Sequence, residues 1–120
     1  MFCPDEKKEV EVSEGSPQVT RLRMDGSILR ATIEFSDLCS ECYRQLQAVK
    51  MDVMRDLKDT PALYRHLEHK LLAQTYSAER LHETPGFASV KISYGIDCEC
   101  GKLPTHDGEI FGTAKLVPTP

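Results

Sequence analysis

Five cysteines are the residues of this 120-residue chain whose type and spacing could do chemistry. Cys39 and Cys42 are spaced C-x-x-C, Cys98 and Cys100 are spaced C-x-C, and Cys3 stands alone. A structural zinc ion takes four thiolate or imidazole ligands in a tetrahedron. Two close pairs supply four thiolates and close only one long loop of the chain. The spacing therefore predicts one structural zinc site formed by Cys39, Cys42, Cys98 and Cys100.

The residues beside the second pair fit a metal site. Gly101 directly follows Cys100, and a glycine with positive φ lets backbone N–H groups turn toward sulfur. Four thiolates around a divalent ion leave a net charge of about −2, which Lys102 and Arg44 could offset. His106 is the spare ligand, because it would complete a Cys₃His site if Cys98 and Cys100 could not both reach the ion.

The two segments around the cysteine pairs resemble the halves of a zinc-ribbon or treble-clef site. They read Asp37-Leu-Cys-Ser-Glu-Cys-Tyr43 and Asp97-Cys-Glu-Cys-Gly-Lys102. In those proteins, knuckle-like turns end in Gly and the second cysteine pair comes from elsewhere in the chain. The resemblance is local and has two departures, a C-x-C second pair and no Gly after the first pair. It implies a metal site and names no particular family.

The first pair also resembles the dithiol of thioredoxin-like redox proteins. A strand-like segment at 33–35, the C-x-x-C pair and a helix-like segment from Tyr43 follow in that family's order. A helix N-terminus would acidify the thiol of Cys39 and make it nucleophilic. Thr84-Pro85 resembles the proline that faces the dithiol in that family. The intervening parallel strand of the family has no counterpart here, so this hypothesis is the second choice.

The elements that must position the cysteines begin with a β-hairpin. Asp25-Gly26 separates the alternating runs 19–24 and 28–35, and Asp-Gly favours a two-residue hairpin turn. Period-two alternation returns at 87–100, and a last strand is predicted at 109–117. The predicted inward residues are Leu29, Ala31, Ile33, Phe35, Val90, Ile92, Tyr94, Ile96, Ile110, Ala114 and Leu116.

Two helices are predicted between these strands. The first spans 41–58, where apolar residues recur at three- and four-residue intervals. The second spans 61–82, because Thr60-Pro61 provides an N-cap and a Pro at N1. The two apolar stripes are Leu46, Val49, Val53 and Leu57, then Tyr64, Leu67, Leu71, Ala78 and Leu81. His66 and His69 are expected on the solvated face of the second helix, not at a metal.

The predicted fold class is therefore α+β, with an antiparallel β-sheet packed on a helical hairpin and stabilised by zinc. Residues 18–117 form its single domain, 1–17 a mobile N-terminal arm, and 118–120 a tail. Cys3 falls in the acidic arm and is expected not to bind metal. The alternative is that Cys3 reaches the ion as a substitute ligand.

Composition narrows the class of function. Fifteen Lys and Arg against nineteen Asp and Glu give a net charge of −4, which disfavours a nucleic-acid partner. The acidic opening residues and the lack of a long apolar run predict no signal peptide and no membrane segment. Paired cysteines without a secretory signal indicate a reducing, cytoplasmic compartment.

The sequence lacks common catalytic signatures, including G-x-x-x-x-G-K-[ST], G-x-G-x-x-G, H-E-x-x-H and G-x-S-x-G. Four cysteines would also close the coordination shell of a zinc ion. The predicted function is a small, non-catalytic zinc-stabilised interaction or regulatory protein whose partner is another protein. The alternatives are a thiol–disulfide oxidoreductase using Cys39 and Cys42, and a zinc-ribbon-like nucleic-acid binder. That binder would use Arg21, Arg23, Arg30 and Lys102.

Overall fold

The computed structural model describes residues 1–81 and 84–119, and these form ten β-strands and one turn of 3₁₀-helix at Pro61–Leu63. His82 and Glu83, at the end of the second predicted helix, and Pro120, in the predicted tail, lie outside the described residues. The strands are β1 (Phe2–Cys3), β2 (Lys8–Glu9), β3 (Val12–Ser13), β4 (Gln18–Asp25), β5 (Ile28–Cys39), β6 (Gln45–Asp56), β7 (Leu71–Arg80), β8 (Phe87–Cys98), β9 (His106–Lys115) and β10 (Val117–Pro118).

Two antiparallel sheets face each other around one core. In the first sheet β5 is central, with β4 and β3 along one side and β6, followed by β10, on the other. The second sheet has the order β7-β8-β9. Strand β6 lies against β9 and β4 against β7. The result is a β-sandwich, whose buried inner faces alternate with outward polar residues.

The predicted hairpin and its inward residues are confirmed. Gly26 has a φ of 60°, and β4 and β5 pair directly on either side of the turn. Every second residue of β5 is buried, and the inward residues of β8 are buried in the same way. The main core contains Leu29, Ala31, Ile33, Phe35, Val49, Met51, Val53, Ala88, Val90, Ile92, Tyr94, Ile96 and Ile110, among others.

The predicted helix at 41–58 is wrong, because residues 45–56 form strand β6 along the full length of β5. Val49, Met51 and Val53 alternate inward as a strand requires. Leu46 is also buried, since the pairing shifts where Asp37 lies opposite Gln47 and Leu38 opposite Gln45. The extra residue in β6 changes which alternate positions of the strand face inward. Leu46 and Val49 are therefore both buried at a three-residue spacing, which resembles the period of a helix.

The predicted helix at 61–82 is wrong for the same reason. Thr60-Pro61 starts only one turn of 3₁₀-helix, and strand β7 follows. The pairing of β7 with β8 skips Tyr76. The less exposed residues therefore have odd numbers before Tyr76, such as Leu71 and Ala73, and even numbers after it, such as Ala78. The α+β fold class is thus contradicted by a nearly all-β structure.

The N-terminal segment is part of the β structure. Strands β1 and β2 form a short hairpin, and β3 pairs with the end of β5. Cys3, Cys39 and Leu46 form a second, smaller buried cluster with Val10 and Val12. Residues 1–17 therefore bring Cys3 into a core.

The sandwich is elongated, with extents of 59 × 21 × 21 Å. Its radius of gyration is 17.8 Å, compared with about 14 Å for a compact chain of this length. Within the described ranges, no helix has the length and apolar character needed to cross a membrane.

Candidate metal sites

The four predicted cysteine ligands lie in two groups. Cys98 and Cys100 lie with His66 and His69, and we call this group the Cys–His cluster. Cys39 and Cys42 lie with Cys3, and we call this group the three-cysteine cluster. Within each cluster the ligand atoms are all within 4.8 Å of one another. The structure thus contains two groups that could hold a metal ion.

The two clusters lie near opposite ends of the sandwich. Leu71, at the start of β7, pairs with Cys98. Arg80, at the end of β7, contacts Asp37, two residues before Cys39. Ten strand residues span about 30 Å. One ion cannot take ligands from both clusters.

The Cys–His cluster pairs each sulfur with one imidazole nitrogen. The distance from Cys98 Sγ to His69 Nδ1 is 3.3 Å, and the distance from Cys100 Sγ to His66 Nδ1 is 3.4 Å. The two rings meet edge to face, with their centroids 5.3 Å apart. Cys98 is buried, whereas Cys100 is exposed. The four ligand atoms therefore converge at the surface end of a buried strand.

Local backbone structure holds these ligands. After the 3₁₀ turn, the N–H of His66 donates to Leu63 O and the N–H of His69 donates to His66 O, which puts both rings on one side of a tight coil. After β8, the N–H of Gly101 donates to Cys98 O, and Gly101 has a φ of 71°. This turn directs the N–H of Lys102 to Cys100 Sγ at 3.4 Å.

Two hydrogen bonds between Lys70 and Glu99 clamp together the two halves of the Cys–His cluster. The N–H of Glu99 donates to Lys70 O at 3.1 Å, and the N–H of Lys70 donates to Glu99 Oε1 at 3.2 Å. Each of these residues is adjacent to a ligand in sequence. The clamp therefore fixes His69 relative to Cys98 and Cys100.

The two sulfurs of this cluster differ in acidity. The N–H of Lys102, together with hydrogen bonds from the cysteine and histidine neighbours, lowers the pKa of Cys100 to about 6. Burial raises the pKa of Cys98 above its ordinary value. Cys100 is thus a thiolate at neutral pH, and thiolate is the form that binds metal.

His66 and His69 were not expected at this site. The helix prediction placed both on a solvated face, whereas the structure has them in a coil beside the end of β8. His106, the predicted spare ligand, begins β9 opposite Ile96 and belongs to neither cluster. The H-x-x-H spacing was the available signal, because two histidines and a C-x-C pair make a complete four-ligand set.

The three-cysteine cluster lies where the β5–β6 turn meets the N-terminal hairpin. Cys3 Sγ is 3.6 Å from Cys42 Sγ, and the N–H of Glu41 donates to Cys39 Sγ at 3.4 Å. Cys3 and Cys39 are buried and Cys42 is half-buried. A disulfide would require about 2.05 Å between the sulfurs, so these are free thiols close together.

The thiols of Cys39 and Cys42 also differ in pKa. Burial opposes ionisation of Cys39, but the N–H groups of Cys42 and Glu41 outweigh it and lower the pKa. For Cys42, the N–H of Arg44 acts to lower the pKa, but burial and the neighbouring sulfurs raise it to about 11. The pKa values of Cys39 and Cys42 thus move in opposite directions, and a bound cation would favour the thiolate form of both.

The C-x-x-C pair does not precede a helix. Cys39 ends β5, and β6 begins three residues after Cys42. The helix N-terminus on which the thioredoxin-like hypothesis depended is replaced by the turn that joins β5 to β6. The first pair therefore lies in a hairpin and takes its third sulfur from the N-terminal segment.

The arginines of the nucleic-acid alternative lie together on the outer face of the first sheet. Arg21, Arg23 and Arg30 line a shallow cavity of about 210 Å³. Arg23 and Arg30 both pair with Asp25, and Asp52 also lines the cavity. These carboxylates offset part of the positive charge that a phosphate backbone would require.

Comparisons of the chain with known protein families, with curated proteins and with solved structures find no match. The function of this chain is therefore inferred from its own residues, above all from the two clusters.

Proposed function

We propose that this chain is a small zinc-stabilised β protein that acts as an interaction or regulatory module without catalytic chemistry of its own. The observation that carries the proposal is the convergence of His66, His69, Cys98 and Cys100 within 4.8 Å. Two thiolates and two imidazoles are a standard ligand set for structural zinc.

The spacing of these ligands supports tetrahedral zinc. A Zn–S bond of about 2.3 Å and a Zn–N bond of about 2.05 Å, at the tetrahedral angle, place sulfur and nitrogen about 3.6 Å apart. The two sulfur–nitrogen distances are 3.3 and 3.4 Å. Shifts of a few tenths of an ångström would complete the tetrahedron around an ion.

The chemistry of the donors favours zinc over harder cations. Thiolate and imidazole suit zinc, whereas calcium and magnesium take oxygen ligands. Four protein ligands leave no position for water or substrate, so the role of the ion is structural. Zinc would join the coil that precedes β7 to the turn that follows β8.

A structural ion leaves the function to the protein surface. The net charge of −4 favours a partner protein with a basic contact surface, because complementary charge speeds association and rejects wrong partners. The predicted reducing, cytoplasmic location agrees with free thiols as ligands.

The metal is tested with the full chain purified without added metal under reducing conditions. We expect zinc in the native protein, and His69→Ala or Cys100→Ser should remove one ion per chain and lower the melting temperature. His106→Ala is the matched control, because it removes a histidine outside both clusters. Equal zinc in the His69→Ala and His106→Ala proteins would contradict the site.

The interaction role is tested by comparing zinc-loaded wild type with Cys100→Ser in affinity purification, followed by binding measurements with each purified candidate. We expect a defined partner whose direct affinity depends on the zinc-loaded fold and falls as salt rises. Catalysis of insulin disulfide reduction by the metal-free chain, lost in Cys39→Ser, would instead support the oxidoreductase alternative.

A further inference from the structure

Two turns of this chain have the same backbone design. In the first, the N–H of Lys7 donates to Cys3 O at 2.8 Å, and Lys7 has a φ of 56°. In the second, the N–H of Tyr43 donates to Cys39 O at 2.9 Å, and Tyr43 has a φ of 63°. These are the only two residues other than glycine with positive φ in residues 1–81 and 84–119. Each lies four positions after a buried cysteine.

The strand pairing that closes each turn is also the same. Cys3 lies opposite Lys8 in the β1–β2 hairpin. The N–H of Cys39 donates to Arg44 O at 2.8 Å. In both turns the cysteine is thus joined to the residue five positions later. The six-residue segments 3–8 and 39–44 correspond position by position.

Side chains link the two turns reciprocally. Arg44 Nη1 donates to Asp5 Oδ1 at 2.9 Å, and Lys8 Nζ donates to Glu41 Oε1 at 3.1 Å. In each case the sixth residue of one turn bonds the third residue of the other. Reciprocal contacts of this kind are what a two-fold relation between two equivalent units produces. The two turns are therefore arranged as equivalent halves of one site.

This correspondence gives every sulfur of the cluster a counterpart. Cys3 corresponds to Cys39, and Cys42 corresponds to Glu6. The contact between Cys3 Sγ and Cys42 Sγ at 3.6 Å is close to the spacing of about 3.8 Å between two thiolates on tetrahedral zinc. The two-fold relation would place the counterpart of this contact between Cys39 and Glu6.

We propose that Cys3, Cys39, Cys42 and Glu6 bind a second zinc ion, with the Glu6 carboxylate in the position that the two-fold relation assigns to a fourth ligand. Carboxylate oxygen binds zinc at about 2.0–2.2 Å. The Glu6 carboxylate lies outside the group of three sulfurs. Glu6 is half-buried at the edge of the turn, and the proposal requires its side chain to rotate toward the ion.

The charges around the site suit this ligand set. Three thiolates and one carboxylate on Zn²⁺ carry a net charge of about −2, which needs cations close by. Lys8 and Arg44 lie on the two turns and bridge them. A bound ion would fix the N-terminal hairpin to the end of β5. This site shares no ligand with the Cys–His cluster at the other end of the sandwich.

The test counts zinc per full-length chain and measures the affinity of each ion by competition with a chromophoric chelator. We expect two ions in wild type. Glu6→Gln should weaken one of them by at least about tenfold, because even residues behind the ligands cost 10- to 100-fold. Glu11→Gln is the matched control, since it removes the same charge from an exposed acid nearby.

Glu6→Cys is the gain-of-ligand variant. It should keep two ions, bind the second more tightly and, with Co²⁺ in place of zinc, add the charge-transfer absorption of a fourth thiolate. It also keeps the test decisive if Glu6→Gln does not fold. The ion lost in His69→Ala belongs to the other site, so the two proposals fail separately. Loss of all zinc in His69→Ala, or equal affinities for Glu6→Gln and Glu11→Gln, would overturn the assignment.

Discussion

Cys100 combines exposure with a thiol pKa of about 6. Because its pKa lies below neutral pH, most Cys100 is thiolate and available to electrophiles. We expect iodoacetamide to modify Cys100 before any other cysteine of the metal-free chain. Peptide mapping by mass spectrometry after short reaction times would measure the order.

The other cysteines provide the controls for this experiment. Cys98 is buried with a raised pKa, and Cys42 has a pKa of about 11, so both should react slowly. Zinc loading should protect Cys100, because a coordinated thiolate is shielded. Modification of Cys42 ahead of Cys100 would show that the hydrogen bonds around Cys100 do not lower its pKa.

At the scale of the elements, one buried ion pair joins the two sheets. Arg80 of β7 contacts Asp37 of β5 through both guanidinium nitrogens, and the two side chains are 11% and 1% exposed. Arg80 also donates to Gly15 O and lies over the ring of Phe35. Burial acts to raise the pKa of Asp37, but hydrogen bonds from Arg80, Gln47 and Gly15 hold it below its ordinary value of 3.8.

Asp37→Asn should therefore destabilise the fold by about 3 kcal/mol near neutral pH, because it leaves a buried guanidinium without its counter-ion. A carboxyl with a depressed pKa contributes stability above its unfolded pKa and loses it as pH falls through the folded pKa. The stability difference between wild type and Asp37→Asn should thus shrink below about pH 4. Urea unfolding at several pH values measures it.

Glu79→Gln is the control for that prediction. Glu79 pairs with Lys91 across β7 and β8 within one sheet, and Glu79 is 54% exposed. Exposed pairs contribute about 0–1 kcal/mol. Equal losses of stability in Asp37→Asn and Glu79→Gln would contradict a special role for the inter-sheet pair.

At the scale of the whole molecule, the distance between the two clusters predicts independence. Sites more than about 10 Å apart without shared partners have additive effects on stability. His69→Ala and Glu6→Gln act at opposite ends of a body 59 Å long. The free energy of unfolding lost in the double variant should equal the sum of the single losses within about 0.5 kcal/mol.

A double-mutant cycle measures this additivity. It compares the free energies of unfolding of zinc-loaded wild type, the two single variants and the double variant. An interaction energy above about 1 kcal/mol would mean that the two sites are energetically coupled and would contradict their independence. His106→Ala combined with Glu6→Gln is the matched control pair.

The long strands could be predicted from sequence because their signals are local. Asp25-Gly26 fixes a hairpin, and the alternation of β5 and β8 is regular over most of its length. Strands β6 and β7 could not be assigned in this way. Each contains one extra residue, and the resulting change of parity leaves buried residues at spacings that a helix also gives. Only pairing with β5 and β8 decides between the two.

The sequence by itself singled out Cys39, Cys42, Cys98 and Cys100 as candidate metal ligands, because close cysteine pairs are a common metal-binding pattern. It could not determine which pair meets which other residues. Residues 39–42 and 98–100 lie at the ends of different long strands, and those ends point in opposite directions along the sandwich. Tertiary structure therefore brought Cys3 to one pair and His66 and His69 to the other, since sheet pairing, not spacing along the chain, decides which strand ends meet.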